Sequence, residues 1–231
     1  MKEIAMSYQH SIAPAAAHYR FTMLAVIAML LVWATAVVVA AQSGFLATLY
    51  QPLIGGIVAL TIIVPTLLYF ASSAMRGLMD AVGHRRIIQF HIWRIPAALL
   101  FFWYGAQGQL PPLFWVLAGV GDLIAGLFAL FAVTRPEDPG RYLRFHLFGF
   151  ADFVVAVGTG LTFTLLEDVR MQPVAALPMA LIPLFGVGIS GATHLMAFDM
   201  LRRGAGFRIA SRSAAADGSA SPTTDARPAE L

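Results

Sequence analysis

The chain lacks cysteine altogether and has little charge. None of its 231 residues is cysteine, which excludes disulfides, thiolate metal sites, iron–sulfur clusters and covalently attached c-type haem. Only 12% of the residues are charged and 59% are hydrophobic, whereas soluble domains average about 25% charged residues. The alternating pattern of membrane strands is also missing, which disfavours a transmembrane barrel. Water is therefore not the main solvent of this protein.

Six apolar runs are each long enough to form a transmembrane helix, because about 20 helical residues cross a ~30 Å hydrocarbon core. These runs predict an all-α integral membrane protein. The last run would be about 42 Å long as a straight helix, so Pro178 and Pro183 indicate an interfacial entry or a kink. The predicted spans are 21–41, 53–75, 87–104, 113–133, 145–166 and 174–201.

Lysine and arginine alternate between the segments that join these spans. Two of these basic residues precede the first span. The five connecting segments contain none, three, none, three and one basic residues in chain order, and the tail contains five. The positive-inside rule then places both termini in the cytoplasm, and we expect the protein in a bacterial cytoplasmic membrane. Trp103, Tyr104 and Trp115 then lie at the outer interface, where amphipathic rings are favoured. The +3 net charge fits this pattern, so we expect lipid headgroups and no nucleic acid as its anionic partners.

This topology divides the chain into three regions. We expect a cytoplasmic N-terminal segment at 1–20, a six-helix transmembrane domain at 21–201 and a cytoplasmic tail at 202–231. The tail holds few large apolar residues, which predicts disorder. Cleavage of the first span as a signal peptide is the alternative to a permanent anchor. Its apolar run exceeds the ~7–15 residues of a signal sequence, which favours the anchor.

Four ionisable residues, Arg94, Asp122, Asp152 and His194, lie inside the apolar runs. An isolated charge there costs at least ~2.5 kcal/mol, so such residues usually pair or line a pathway. Counting ~1.5 Å per residue from the cytoplasmic helix ends places Arg94, Asp152 and His194 about 10 Å deep and Asp122 about 16 Å deep. We therefore expect spans three to six to form a bundle around one polar cluster.

Arg94 is the expected centre of this cluster, since its planar fork can bind the carboxylate of Asp122 or Asp152. Two carboxylates around one guanidinium leave a surplus negative charge, which a proton on His194 or on an aspartate could absorb. An ion pair that only fixes helix register is the alternative interpretation. A glycine lies three residues before each aspartate, so a neighbouring element can approach closely there.

Three further residues are secondary candidates for the same site. His91 shares a helix face with Arg94, His146 lies at the cytoplasmic end of the fifth span, and Ser190 stands one turn before His194. Imidazoles of His91, His146 or His194 at matched depth could ligate haem iron, which we keep as an alternative. No metal-binding spacing occurs, so we predict no dedicated metal site and no other cofactor.

Three functions remain open. The preferred one is a small-solute or proton-linked transporter, with its Arg/Asp/His site reached from the cytoplasm, because intramembrane charges are usually functional. The second is a membrane-embedded redox or lipid enzyme that binds haem or quinone. The third is a noncatalytic assembly or scaffold protein, in which the charges specify helix packing. No catalytic signature assigns a reaction, so the expected partners are the lipid bilayer, a small solute or a proton, and an oligomer is compatible.

Overall fold

The computed structural model describes the backbone of residues 2–207 and the side chains of residues 19–207, and within that range it contains helices and no strand. Two 3₁₀ turns, His91–Trp93 and Val169–Ala175, and one π-helical turn, Ile182–Val187, accompany the α-helices. The α-helices are α1 (Lys2–Gln42), α2 (Phe45–Thr48), α3 (Gln51–Ala71), α4 (Ser73–Phe90), α5 (Arg94–Ala106), α6 (Pro112–Val133), α7 (Pro139–Leu165) and α8 (Gly188–Arg203).

Within residues 19–207, six helical stretches are long and apolar enough to cross a membrane. Large apolar side chains point outward from them, such as Phe21 with 76% and Leu67 with 61% of their surface exposed. Water disfavours such surfaces and lipid does not. The prediction of an all-helical membrane protein with six membrane-length helices is confirmed. The stretches are Tyr19–Gln42, Gln51–Ala71, Ser73–Ala106, Pro112–Val133, Pro139–Leu165 and Ile182–Arg203.

The third stretch begins earlier than predicted, and the connecting segment expected at 76–86 is helical. The break lies instead at Ser72, whose backbone is extended and whose side chain accepts a hydrogen bond from Met75 N at 3.3 Å. Serine is a favoured residue at a helix start because it satisfies such an N–H group. Gly83 then interrupts α4 with φ of 76°, and a Cβ there would stand 3.0 Å from Gly206 O.

A change of helix type divides the third stretch in its middle. The 3₁₀ turn His91–Trp93 separates α4 from α5, and Pro96 follows in the first turn of α5. Proline has no N–H group to donate to the carbonyl four residues earlier, which disfavours a regular α-helix at this point. The turn brings His91 and Arg94 to the middle of the molecule, where both are buried.

The sixth stretch begins at Ile182, later than the predicted residue 174. Pro178 lies in the connection before it, and Pro183 lies in the first positions of the π-helical turn, where a missing N–H group is tolerated. Trp33 Nε1 donates to Leu184 O at 2.7 Å and ties this turn to α1. The turn also presents Gly186 to the ring of Trp93, which would lie 2.1 Å from a Cβ at that position.

Both ends of the chain differ from the predicted boundaries. The helix α1 continues back to Lys2, so the expected N-terminal segment is helical along its backbone. At the other end α8 reaches Arg203 and ends at Gly204, which has φ of 66°. Phe207 lies against His84, with 4.7 Å between the ring centroids, so the tail begins later than predicted. The disorder expected for the rest of the tail concerns residues 208–231, which lie outside the described residues.

The last helix is the most enclosed of the six. The interior of the bundle buries 61% of its apolar window but only 6% of the window in Tyr19–Gln42. Both α3 and α7 pack against α8, while α5 packs on α6 and α6 on α7. The first helix therefore lies at the edge, and polar residues of α5 to α8 can meet in the interior.

Candidate functional site

Arg94 makes direct contacts to both intramembrane aspartates. Its Nε donates to Asp122 Oδ1 at 2.5 Å, and its Nη2 donates to Asp152 Oδ2. Its Nη1 donates to Gly149 O at 3.3 Å. The three charged side chains are at most 10% exposed. We call Arg94, Asp122 and Asp152 the ion triad. The sequence left the partner of Arg94 as one aspartate or the other, and the structure brings both to it.

Glycines make room for the triad at two points. A Cβ at Gly121 would lie 1.5 Å from Asp152 Oδ1, so the carboxylate occupies the space that any other residue would need. Gly149 borders both Arg94 and His194. A Cβ at Gly149 would lie 3.6 Å from Arg94 Nη1 and 2.8 Å from His194 Nε2. His194 is thus adjacent to the triad across Gly149. The glycine three residues before Asp152 accommodates side chains, whereas the sequence suggested a neighbouring backbone.

The triad has more acidic groups than basic ones. Two ionised carboxylates and one guanidinium sum to one negative charge, and all three are removed from water. Burial of ions costs several kcal/mol each unless partners compensate. The surplus carboxylate is therefore a place where a proton or a cation is favoured.

Four buried histidines form a row, and one of them, His194, adjoins the triad. His84, His91, His146 and His194 each have 0% exposure. The rings of His91 and His194 are stacked with centroids 4.3 Å apart, and His146 meets His194 at 5.2 Å. One ring nitrogen of each of His91, His146 and His194 lies within 4.8 Å of the others. We call these three residues the histidine trio; His84 lies outside it, 6.1 Å from the ring of His146.

Hydrogen bonds satisfy only part of the trio. His91 Nε2 lies 3.3 Å from Thr193 Oγ1, and His146 Nδ1 lies 2.9 Å from His194 Nδ1. Within the described part of the chain, His91 Nδ1, His146 Nε2 and His194 Nε2 have no hydrogen-bond partner. Buried polar atoms are seldom left in this state. Each ring of the trio therefore has one nitrogen available for a further contact.

Ser190 lies beside the site but does not bond to His194 in the way its spacing suggested. Its hydroxyl accepts a hydrogen bond from Trp93 Nε1 at 3.2 Å. Both residues line a cavity of about 190 Å³ together with Arg94 and Asp122. Ser190 therefore contributes to the wall of the cavity and fixes the indole that forms part of the same wall.

This cavity reaches the triad from one end of the bundle. Most of its wall is apolar, including Phe101 and Phe114, and it continues to Met171 and Val174 in the 3₁₀ turn after α7. The connections at that end, 42–50, 107–111 and 166–181, contain Arg170 and no other lysine or arginine. The positive-inside rule assigns such an end to the outside. The cavity therefore lies toward the end that this rule assigns to the outside, and access to the site from the cytoplasm stays a prediction.

The connection that closes this end is held by an exposed ion pair. Arg170 Nε and Nη2 donate to the carboxylate of Asp168 at 2.9 and 2.5 Å. Arg170 N also donates to Asp168 Oδ1 at 2.9 Å. These hydrogen bonds, first from the side chain and then from the backbone of Arg170, lower the pKa of Asp168 to about 2.

A second polar network was not singled out by the sequence. Arg203 bonds to Asp80 at 2.8 Å and to Asp199 at 2.7 Å. Tyr69 donates to Asp199 at 2.8 Å and accepts from Arg203 at 2.8 Å. This network ties α3, α4 and α8 together at the end opposite the cavity. The four-residue spacing of Asp199 and Arg203 was the available signal.

The fold and the buried triad define a multi-helix membrane protein with charged residues in its core. Residues 48–202 match the family described as Domain of unknown function (DUF8737), and the chain belongs to that family. The matched range contains the ion triad and the histidine trio. No curated protein and no solved structure matches the chain.

Proposed function

We propose that the protein is a proton-linked transporter of a small solute. In this proposal both termini lie on the cytoplasmic side of a bacterial cytoplasmic membrane, and α4 to α8 surround the polar centre. The observation that carries it is the cavity of about 190 Å³ that ends on Arg94 and Asp122. A wall that is mostly apolar and ends on charge is the usual arrangement of a small-molecule site.

The cavity specifies the kind of solute. An apolar cavity of roughly 150 Å³ holds benzene, so about 190 Å³ has room for one ring and a small head group. Phe101, Phe114 and Met171 supply the apolar wall. Because the two carboxylates that pair with Arg94 leave a surplus negative charge, the head group that fits is a cation. An anion would have to compete with two carboxylates for one guanidinium.

Proton coupling follows from the same charge count. A proton on Asp152 or Asp122 and a bound cation each neutralise the surplus charge, so the two compete for one site. Such competition exchanges a solute cation for a proton. The basic residues of 76–86, in α4, and of 134–144, after α6 and at the start of α7, favour the opposite end of the bundle as the cytoplasmic one. In this proposal the cavity faces the outside.

Uptake of a permanently charged probe into proteoliposomes tests the proposal. Phenyltrimethylammonium has one ring and a fixed positive charge, so it crosses lipid slowly on its own. We expect radiolabelled probe to accumulate when the lumen is acidic, and accumulation to stop when the proton gradient is dissipated. Asp152→Asn removes the surplus charge but leaves Arg94 and Asp122 paired, and should reduce uptake to the level of protein-free liposomes.

Asp138→Asn is the matched control. Asp138 lies outside the cavity, is 41% exposed and caps α7 by accepting from Gly140 N at 3.0 Å, and asparagine caps a helix equally well. This variant should transport as the unmodified chain does. Absence of gradient-driven uptake by the unmodified protein, or equal uptake by Asp152→Asn, would contradict the proposal.

A further inference from the structure

We propose that His91, His146 and His194 bind one transition-metal ion between α7, α8 and the 3₁₀ turn before α5. Their ligand nitrogens lie within 4.8 Å of one another. A tetrahedral ion with bonds of about 2.0–2.1 Å separates its nitrogen ligands by roughly 3.4 Å. The rings need to close by at most about 1.4 Å, which side-chain rotation supplies. Imidazole is a ligand for zinc and copper.

The hydrogen bonds of Thr193 favour one tautomer of His91. The Thr193 hydroxyl has one hydrogen, which it directs to Ile189 O at 2.8 Å or Ser190 O at 3.0 Å. With that hydrogen on a backbone carbonyl, the Thr193 oxygen accepts from His91 Nε2 at 3.3 Å. The other nitrogen, Nδ1, then carries a bare lone pair that is fully buried and has no partner among the described residues. A metal-binding histidine is held in this way by a hydrogen bond to its second nitrogen.

The pair His146 and His194 supplies the other two imidazoles. Their Nδ1 atoms are 2.9 Å apart, so one ring donates and the other accepts. The donating ring therefore has a bare Nε2, whereas the accepting ring carries its proton on Nε2 and binds a metal only after its tautomer changes and the hydrogen bond between the two rings breaks. Each Nε2 is then buried without a partner in the described part of the chain. Buried ring nitrogens without hydrogen-bond partners cost free energy, whereas apolar side chains would fill the same space without that cost. Packing alone therefore does not account for three adjoining imidazoles.

The ring geometry favours a bare ion over haem. His91 and His194 are in direct contact, stacked at 4.3 Å and inclined by 27°. A porphyrin between them would have to separate the two rings. The fully buried environment of the trio also excludes the water that would complete an octahedral shell around a harder ion.

Charge balance selects among the metals that imidazole binds. Neutral imidazoles add no charge, and the adjacent triad carries one negative charge when both carboxylates are ionised and neither a proton nor a solute cation is bound. A copper(I) ion makes the sum zero, whereas zinc(II) leaves one positive charge in a medium of low dielectric. A buried net charge is costly, so copper(I) is the expected occupant and zinc(II) the weaker one.

Metal analysis of the full-length protein tests this site. The protein is purified in detergent with an affinity tag free of histidine, loaded anaerobically with copper(I) or zinc(II), desalted and analysed by mass spectrometry. We expect one copper per chain, held more tightly than zinc. His146→Gln should weaken copper binding by at least about 100-fold, since loss of a supporting residue alone costs roughly 10–100-fold.

His84→Gln is the matched control, because His84 is equally buried but lies outside the trio. It should keep one copper per chain. Thr193→Val gives a second, milder variant if His146→Gln does not fold, and should weaken binding about 10-fold by freeing the His91 ring. X-ray absorption should show nitrogen neighbours with the outer-shell scattering of imidazole.

Three results would overturn the proposal. They are no retained metal in the unmodified protein, equal retention in His146→Gln, and a haem Soret band that depends on the trio. None of these readouts uses solute flux, so failure of the metal site and failure of transport are distinguished. A chain that transports without metal contradicts the metal site alone, and a chain that binds metal without transporting contradicts transport alone.

Discussion

Arg94 stabilises two carboxylates at once, which makes it the residue whose loss matters most. Removal of one partner from a buried ion pair is expensive because the other charge remains in a medium that cannot solvate it. Replacement of all partners by neutral groups avoids that penalty. Comparison of the two kinds of variant separates the cost of an unpaired buried charge from the cost of lost packing.

Arg94→Leu should therefore destabilise the protein far more than neutralisation of the whole triad. We expect the single change to lower the free energy of unfolding by about 3–5 kcal/mol, and thus the melting temperature by roughly 10 °C. Arg94→Leu with Asp122→Asn and Asp152→Asn should recover at least half of that loss. Tryptophan fluorescence during heating in detergent measures it, since the chain has four tryptophans and no cysteine for thiol dyes.

Arg202→Leu is the control for the loss of an arginine, because Arg202 is 83% exposed and its ion pair with Asp199 is weak at that exposure. It should change the melting temperature little. A triple variant as unstable as Arg94→Leu would show that Arg94 acts through packing. A triple variant that is stable but does not transport would contradict the scaffold interpretation.

The sequence predicted the neighbours of Arg94 because charges in apolar runs have few places to go. It did not decide between Asp122 and Asp152, since rotation of a helix about its axis is set by packing that spacing does not encode. His84 was not singled out because it adjoins Arg85 and Arg86, a context typical of a solvated loop. The burial of His84 depends on Gly83 and on Phe207, which lies more than a hundred residues later.

Short irregular elements, more than the long helices, determine where the site lies. The 3₁₀ turn at His91–Trp93 directly precedes Arg94 and sets its position. The ring of Trp93 packs against Gly186 in the π-helical turn at Ile182–Val187. Apolar periodicity cannot predict such turns, because they do not change the composition of the span. The 3₁₀ turn at Val169–Ala175 lines the cavity through Met171 and Val174 and is capped by Asp168, which accepts from Arg170 N.

The stability contributed by the Asp168–Arg170 pair should depend on pH with a defined sign. The folded pKa of Asp168 is about 2, below its ordinary value of 3.8. Its contribution is therefore complete above pH 3.8 and disappears as the pH falls through about 2. Asp168→Asn keeps the cap but removes the charge, and should melt roughly 1–3 °C lower at neutral pH. That difference should vanish in acid.

Asp168→Ala separates the cap from the charge in the same measurement. It removes both, so its melting temperature should lie below that of Asp168→Asn by an amount that does not change between neutral and acid pH. A difference between the unmodified chain and Asp168→Asn that persists at low pH would contradict the assignment to this carboxylate.

The whole molecule has two chemically different ends. The cavity extends to connections with almost no basic residues. Arg76, Arg85, Arg86 and the network around Arg203 lie at the other end. Six membrane-length helices are compatible with both termini on one side. The sidedness that the basic residues predict stays a prediction, and it depends on counts in connections and not on helix rotation.

Cysteine labelling measures the orientation directly, since the chain contains no cysteine to give background. Gln107 lies in the connection between α5 and α6 and Thr134 follows α6, and both are exposed. Gln107→Cys should react with a membrane-impermeant maleimide in intact spheroplasts, and Thr134→Cys only after permeabilisation. The reverse pattern would place the cavity on the cytoplasmic side, and the solute would then enter the site during export instead of from outside. Equal labelling of both sites in sealed spheroplasts would contradict the six-span topology itself, because α6 separates the two positions by a full crossing of the membrane.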